Sequence, residues 1–117
     1  MIIQIYGTKK CTDSQKAVRF FKERKIQIQF IDLKEKGMSK GEIQSVSRSV
    51  PLKELIDLTS KIAIDQGLAM PGYSYDITEK LMENPLLFKT PVVRCGQKAC
   101  AGYKPEIWLK FAELEGK

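Results

Sequence analysis

The stretch that decides the fold is YGTKKCTDSQKA, residues 6–17. It follows a short apolar run over residues 1–6 that is rich in β-branched side chains, which is typical of a strand. Apolar side chains then recur at helical spacing from Ala17 to Phe21. The sequence therefore predicts a strand, a strand-to-helix turn over residues 7–12 and an amphipathic helix.

Cys11 lies in this turn, where the predicted helix begins. Unpaired N–H groups and the positive end of the helix dipole favour an anion there, which for cysteine is the thiolate. Lys9 and Lys10 add positive charge beside the thiol and act in the same direction. We therefore expect a lowered pKa for Cys11. From placement alone, two alternatives stay open: a redox-active thiol, or an inert one packed under the sheet.

Cys11 and Ser14 form a Cys-x-x-Ser pattern, which lacks the second sulfur of a Cys-x-x-Cys pair. One thiolate can attack a disulfide or another electrophile, but Ser14 cannot resolve the mixed product. The second thiol must come from glutathione, a partner protein, or Cys95 or Cys100 of this chain. The Ser14 hydroxyl could donate a hydrogen bond to the thiolate, although serine is also ordinary in a first helical turn.

The composition predicts a single domain over residues 1–117, because 117 residues with 43% hydrophobic content can form one core. No charged leader precedes an apolar segment, and no apolar run approaches the roughly 20 residues of a spanning helix. We therefore expect a soluble, cytoplasmic protein without a membrane partner. An odd count of three cysteines argues against structural disulfides. The absence of histidine rules out a His-ligated site, and the three cysteines alone make a poor zinc set, so we expect no metal. We also expect no bound cofactor.

The net charge of +6 comes mostly from lysines that are interleaved with acidic residues along the chain. Nucleic-acid-binding surfaces cluster arginine and lysine on one face, with aromatic residues between them where single strands are bound. No such cluster is visible in the sequence. We therefore expect no direct contact with nucleic acid, whereas a mildly basic face for an acidic protein partner stays open.

The following segments predict the middle of the fold. Residues 26–32 alternate apolar and polar side chains and predict a second strand, which completes a βαβ unit with parallel pairing. Residues 37–84 lack strand signals and predict a helical insert. Its expected helices begin after a capping box at residues 39–42, cover residues 51–58 and 61–66, and run from a cap at Asp76 to about Asn84.

The last third predicts a β-hairpin around a turn at residues 96–98, followed by an amphipathic closing helix. The element order is therefore βαβ, helical insert, ββα. Pro91 heads the first hairpin strand, where it is either an ordinary first-strand proline or the second residue of a cis peptide. A strand rise of about 3.3 Å per residue places Cys95 roughly 13 Å beyond Pro91. Direct resolution of Cys11 by Cys95 would need substantial movement, and we expect Cys95 and Cys100 to be reduced thiols.

These residues resemble the arsenate reductase (ArsC) and Spx group of thioredoxin-like proteins over nearly the whole chain. The resemblance rests on the residue 6–17 motif, the stretch NPLLFKTPVV at residues 84–93, Gly102-Tyr103 with Glu106 before the last helix, and the length with its insert. It implies an α/β, thioredoxin-like (glutaredoxin-like) fold with a mixed four-stranded sheet. It also implies a functional Cys11 beside a cis Pro91, with the Thr90 backbone available to pair with a peptide or glutathione.

The chain departs from the members of this group that reduce arsenate. They hold the oxyanion with arginines at positions that correspond to Thr90 and Lys104 here, with Lys89 one residue further back. A lysine is a flexible point charge and does not replace the planar fork of arginine. The resemblance therefore favours a thiol–disulfide oxidoreductase over an arsenate reductase. In it, Cys11 is the nucleophile, Ser14 orients it, and the substrate-binding residues are Lys9, Lys10, Lys89, Thr90, Pro91 and Lys104.

We expect this enzyme to pass its mixed disulfide to an external thiol reductant, such as glutathione, glutaredoxin or thioredoxin. The Spx branch of the same group implies an alternative function, that of a transcriptional regulator which binds the α subunit of RNA polymerase. Spx proteins commonly sense oxidation with a Cys-x-x-Cys pair. Ser14 removes that sensor here, so a Spx-like regulator would lack its usual switch.

Overall fold

Strand β1 (Ile3–Gly7), helix α1 (Thr12–Glu23) and strand β2 (Ile28–Asp32) form the N-terminal βαβ unit of the computed structural model, which describes residues 2–115. β1 and β2 pair in parallel, as predicted. The predicted first strand began at Met1, which lies outside the described residues. The second strand begins two residues later than predicted, at Ile28 instead of Ile26.

The insert between the two halves of the sheet is helical, which confirms the prediction. It contains four short α-helices and one 3₁₀ turn: α2 (Lys40–Ser47), α3 (Leu52–Leu55), α4 (Lys61–Asp65), α5 (Ile77–Glu83) and Pro85–Leu87. Ser39 and Asp76 cap α2 and α5 with their side chains, as the sequence predicts. α3 is shorter than expected, because Ile56 is extended and forms an isolated β-bridge with Phe88.

Strands β3 (Val92–Cys95) and β4 (Lys98–Ala101) form the predicted antiparallel hairpin. β3 also pairs antiparallel with β1, so the sheet order is β2-β1-β3-β4 and the sheet is mixed. Helix α6 (Pro105–Glu115) closes the fold. The predicted order of βαβ, helical insert and ββα is therefore confirmed.

The sheet carries one apolar core on each face, because successive strand side chains point to opposite sides. Tyr6 and Val92 face the insert and pack with Ile43, Leu55 and Leu87. The other face packs against α1 and α6, with a core that includes Ile3, Ile5, Phe21, Val93, Cys95, Cys100, Trp108 and Phe111. The two hairpin cysteines are therefore core side chains. They do not face each other, because Cys100 lies opposite Val93 and Cys95 opposite Lys98, and neither forms a disulfide.

A polar network that the sequence did not reveal ties the insert to the centre of the sheet. The Tyr6 hydroxyl donates to Glu42 Oε2 at 2.5 Å, and Arg94 Nη1 donates to the Tyr6 oxygen at 3.2 Å. Arg94 Nη2 also donates to Ser45 Oγ at 3.2 Å. Burial would raise the pKa of Glu42, but hydrogen bonds from Tyr6 and Ser39 and the charge of Arg94 lower it overall. The network thus holds an ionised carboxylate between α2 and the sheet.

We expect Tyr6→Phe to lower the free energy of unfolding by about 2 kcal/mol, because the partly buried Glu42 carboxylate loses the hydroxyl that donates to it. Urea denaturation measures this change. Tyr103→Phe is the matched control: the Tyr103 side chain is half exposed, and its hydroxyl makes no hydrogen bond with a described residue. Equal midpoints for wild type and Tyr6→Phe would show that the network does not stabilise the fold.

Candidate functional site

Cys11 is the N-cap of α1. Its sulfur accepts a hydrogen bond from the backbone N–H of Ser14 at 3.4 Å, which is the interaction expected of a capping side chain. Cys11 Sγ also lies 3.0 Å from Thr90 Oγ1, 79 residues away in the chain. The side chain is partly exposed. The thiol is therefore held at a helix start, beside a threonine hydroxyl, and remains accessible to solvent.

Thr90 and Pro91 come to this position through the segment that leads into β3. The Thr90–Pro91 peptide is cis, which is the isomer that the resemblance implies for Pro91. Pro91 is buried, and its carbonyl accepts a hydrogen bond from Gly102 N at 2.9 Å. The pairing of β3 with β1 sets this segment against the turn that carries Cys11, so the sheet brings Thr90 to the thiol.

The pKa of the Cys11 thiol is lowered, as the sequence predicts. Burial alone would raise it, but this is outweighed by the side chains of Ser14 and Thr90 and by the backbone N–H groups of Ser14 and Asp13, which favour the thiolate. Lys9 and Lys10 are not among these groups. Hydrogen bonds at the helix start and from Thr90 are therefore the main cause of the lowered pKa.

Ser14 is the one fully buried polar side chain among residues 2–115, at 0% exposure. Its Oγ makes no hydrogen bond of normal geometry within the part of the chain that the structure describes. A hydroxyl without another acceptor can turn its proton toward the sulfur when the thiolate forms, which explains its effect on the Cys11 pKa. Gly7 makes this position possible, because a Cβ on Gly7 would lie 2.7 Å from Ser14 Cβ. The sequence did not indicate this role of Gly7.

The four lysines expected at the site lie in different parts of the structure. Lys9 lines a groove between α1 and β2, and Lys10 is exposed. Lys89 and Lys104 line a different cavity, between the segment before α3 and the start of α6. That cavity also contacts Cys100. Lys89 and Lys104 therefore line the same cavity, and their role in binding a substrate stays a prediction.

Cys100 and the arginines do not belong to the Cys11 site. Burial raises the pKa of the Cys100 thiol to about 12, so it is protonated at neutral pH and a poor nucleophile. Arg94 belongs to the Tyr6 network, and Arg24 stacks on Phe20. Within residues 2–115, no hydrogen bond or ion pair joins an arginine to Cys11. The same residues contain no group of three or more potential metal ligands.

A mixed sheet with a cysteine-capped first helix opposite a cis proline defines the thioredoxin-like class of proteins. Within this class, the chain belongs to the ArsC family, whose family model matches residues 6–111. None of the helices in residues 2–115 is both long enough and apolar enough to cross a membrane.

Several solved structures share this fold. An arsenate reductase from Vibrio cholerae is 23% identical with a TM-score of 0.83, over 95% of this chain and 98% of that one. An ArsC family related protein from Bacteroides fragilis is 22% identical with a TM-score of 0.85, over the same shares of the two chains. The protein SACOL0876 from Staphylococcus aureus is 22% identical with a TM-score of 0.78, over 93% and 97%. No curated protein sequence matches the chain.

The lowered pKa predicts how Cys11 reacts with an alkylating agent. We expect the pH midpoint of iodoacetamide modification at Cys11 to be lower in the folded protein than in the urea-unfolded chain, as read by mass spectrometry of the Cys11 peptide. Thr90→Val should raise the pH midpoint of modification in the folded protein, because the thiolate loses the Thr90 hydroxyl. Thr90→Ser keeps a hydroxyl and should keep the wild-type midpoint. Equal midpoints in the folded and unfolded chains would show that folding does not lower the pKa of Cys11.

The same shift makes stability depend on pH. A group whose pKa is lower in the folded state stabilises the fold fully above its unfolded pKa and ceases to do so as the pH falls through its folded pKa. The free energy of unfolding of the wild type, relative to Cys11→Ala, should therefore rise with pH between those two values. A difference that stays constant across that range would indicate that the thiolate is not stabilised by folding.

Proposed function

We propose that this protein is a thiol–disulfide oxidoreductase with a single nucleophilic cysteine, Cys11. The observation that carries the proposal is the position of the Cys11 sulfur, 3.0 Å from Thr90 Oγ1 and 3.4 Å from the N–H of Ser14. Donors on two sides of the sulfur favour the thiolate, which is the nucleophilic form. Partial exposure leaves that thiolate accessible to a substrate.

The reaction consists of two exchanges of the same kind. The Cys11 thiolate attacks one sulfur of a glutathionylated protein; the bond from Cys11 to the glutathione sulfur forms as the old S–S bond breaks. The protein sulfur leaves as a thiolate and takes a proton from water. A second glutathione thiolate then attacks the mixed disulfide, which releases glutathione disulfide and regenerates the Cys11 thiolate. The sulfur of the incoming glutathione is thus oxidised to the disulfide level as the protein sulfur is reduced to a thiol.

An external thiol fits the second step better than either hairpin cysteine. Cys95 and Cys100 are buried in the core between the sheet and the helices α1 and α6. The Cys100 thiol, with a pKa of about 12, carries little thiolate at neutral pH. We therefore assign the resolving role to glutathione, or to a thiol of glutaredoxin or thioredoxin.

Arsenate is a poor substrate for this arrangement. An oxyanion is best held by the two parallel donors of an arginine, and the group beside the sulfur here is the hydroxyl of Thr90. Arg94, on the neighbouring strand, donates to Tyr6 and Ser45 instead. We therefore propose disulfides, and glutathione mixed disulfides in particular, as the substrate class.

The test is a steady-state assay with a glutathionylated peptide, glutathione as reductant and glutathione reductase with NADPH as the reporter. We expect catalytic turnover with the peptide and none above background when arsenate replaces it. A mixed disulfide that forms once and is never turned over would overturn the oxidoreductase proposal. Turnover of arsenate alone would overturn the substrate class.

Binding of the RNA polymerase α subunit, the Spx-type alternative, stays a prediction. A pull-down with purified α subunit tests it separately from the assay above. Retention of the α subunit by both the wild type and Cys11→Ser would support a regulator that acts through its surface. If neither the wild type nor Cys11→Ser retains the α subunit, the oxidoreductase is the only proposed function that remains.

A further inference from the structure

The groove between α1 and β2 has an apolar floor and basic walls. Val18, Ile28 and Phe30 form the floor, and Lys9, Gln15 and Lys22 complete the lining. The three floor residues are partly buried and pack against the core under α1. Neither Lys9 nor Lys22 forms a side-chain hydrogen bond or ion pair with another residue in the range 2–115. The groove therefore presents apolar surface together with cationic groups that have no partner within that range.

The groove runs along a sheet edge. β2 is the outermost strand in the order β2-β1-β3-β4, and no strand pairs with its outer side in the described residues. Ile3 N donates to Gln27 O, and Leu33 N donates to Gly7 O. The backbone N–H and C=O groups of the odd-numbered residues from 27 to 33 therefore point toward β1. The backbone N–H and C=O groups of Ile28 and Phe30 consequently point outward. An extended chain could pair with them.

Basic residues are concentrated in the segment that borders the groove, so the even interleaving of charges that we expected along the chain is wrong there. Residues 9–25 contain seven basic and two acidic residues, so most of the net charge of +6 lies on α1 and its flanks. Lys16 contacts the Tyr103 ring and Arg24 the Phe20 ring. Lys9 and Lys22 line the groove itself. A second copy of this chain would bring like charges together here, whereas an acidic segment would be complementary.

We propose that this groove binds an extended, acidic and partly apolar peptide segment of a partner protein, which pairs with the outer edge of β2. The apolar side chains of the segment cover Val18, Ile28 and Phe30, and its carboxylates meet Lys9 and Lys22. Main-chain pairing with Ile28 and Phe30 supplies affinity, and the lysines select for acidic sequence. This binding does not depend on the chemistry of Cys11.

The test uses the acetylated peptide VTETVTETV, in which valine and glutamate share one face. We expect a titration into ¹⁵N-labelled Cys11→Ser protein to shift the amide signals of Ile28 and Phe30. Lys22→Glu should weaken the affinity about tenfold or more, because it replaces an attraction by a repulsion. Lys110→Glu on α6 is the matched control, with the same charge change on an exposed helix surface outside the groove. It should retain most of the affinity.

Two further probes separate strand pairing from general charge attraction. The same peptide with N-methyl groups on alternate residues should lose binding, because it cannot donate to the strand edge. An oligothymidylate should not shift the Ile28 and Phe30 amides. The proposal is overturned if the N-methylated peptide binds as well, if both lysine variants weaken binding equally, or if the oligonucleotide binds this groove more tightly than the peptide. It is also overturned if the amide signals of Ile28 and Phe30 do not move.

Discussion

Cys11→Ser should abolish turnover of the glutathionylated peptide, with a loss in kcat/KM on the order of 10³-fold or more, because a serine hydroxyl is not ionised at neutral pH. The fold should be retained, since the introduced hydroxyl could still accept the capping hydrogen bond from Ser14 N that the Cys11 sulfur accepts. The coupled glutathione assay measures the activity, and circular dichroism with urea denaturation measures the fold.

The matched controls are Cys95→Ala and Cys100→Ala, which remove the other two thiols of the chain. Each should lower stability, because both side chains are buried, but each should keep the per-molecule activity of the folded protein. Mass spectrometry should find the glutathione adduct on Cys11 in these variants. If Cys100→Ala stopped turnover and left an intact adduct on Cys11, the resolving thiol would be internal and the external-thiol mechanism would be wrong.

Local sequence signals were enough to predict the element order. Ser39 and Asp76 cap their helices, and the Gly-containing turn after Cys95 closes the hairpin, because these interactions lie within a few residues of one another. The end of α3 could not be predicted in this way. Ile56 leaves the helix to pair with Phe88, and a contact across 32 residues leaves no periodic signal in the chain.

The site shows the same division between local and distant contacts. The position of Cys11 and the direction of its pKa shift follow from the helix start, which the sequence reveals. The added contribution expected from Lys9 and Lys10 is not among the largest causes of the shift, because adjacency in the chain does not fix where long, exposed side chains lie. The resemblance implied that Pro91 lies beside the thiol, but neither the contact of the Thr90 hydroxyl with the sulfur nor the packing of Gly7 against Ser14 was predicted. Both depend on how β1, α1 and the segment before β3 meet.

Gly7→Ala should lower the free energy of unfolding by about 2–3 kcal/mol, as overpacking does in a rigid core. The added Cβ would lie 2.7 Å from Ser14 Cβ and closer still to its Oγ. Ser14 is fully buried in the first turn of α1 and cannot turn away to solvent. The start of the helix must therefore move, which takes the N–H of Ser14 away from the Cys11 sulfur. We expect the Cys11 alkylation midpoint to rise and the turnover to fall.

Two variants separate this effect from the general cost of replacing a glycine. Gly41→Ala, within α2, has no atom within 4 Å of its added Cβ and should stabilise the protein by about 0.5–1 kcal/mol. Ser14→Gly removes the two atoms that clash with the new Cβ and leaves only its ordinary contact with Phe30. Gly7→Ala should therefore cost less stability in that background than in the wild type. Equal costs in the two backgrounds would show that Gly7 and Ser14 are independent. A smaller cost would mean that the missing side chain at Gly7 is what lets Ser14 and Cys11 share the start of the helix.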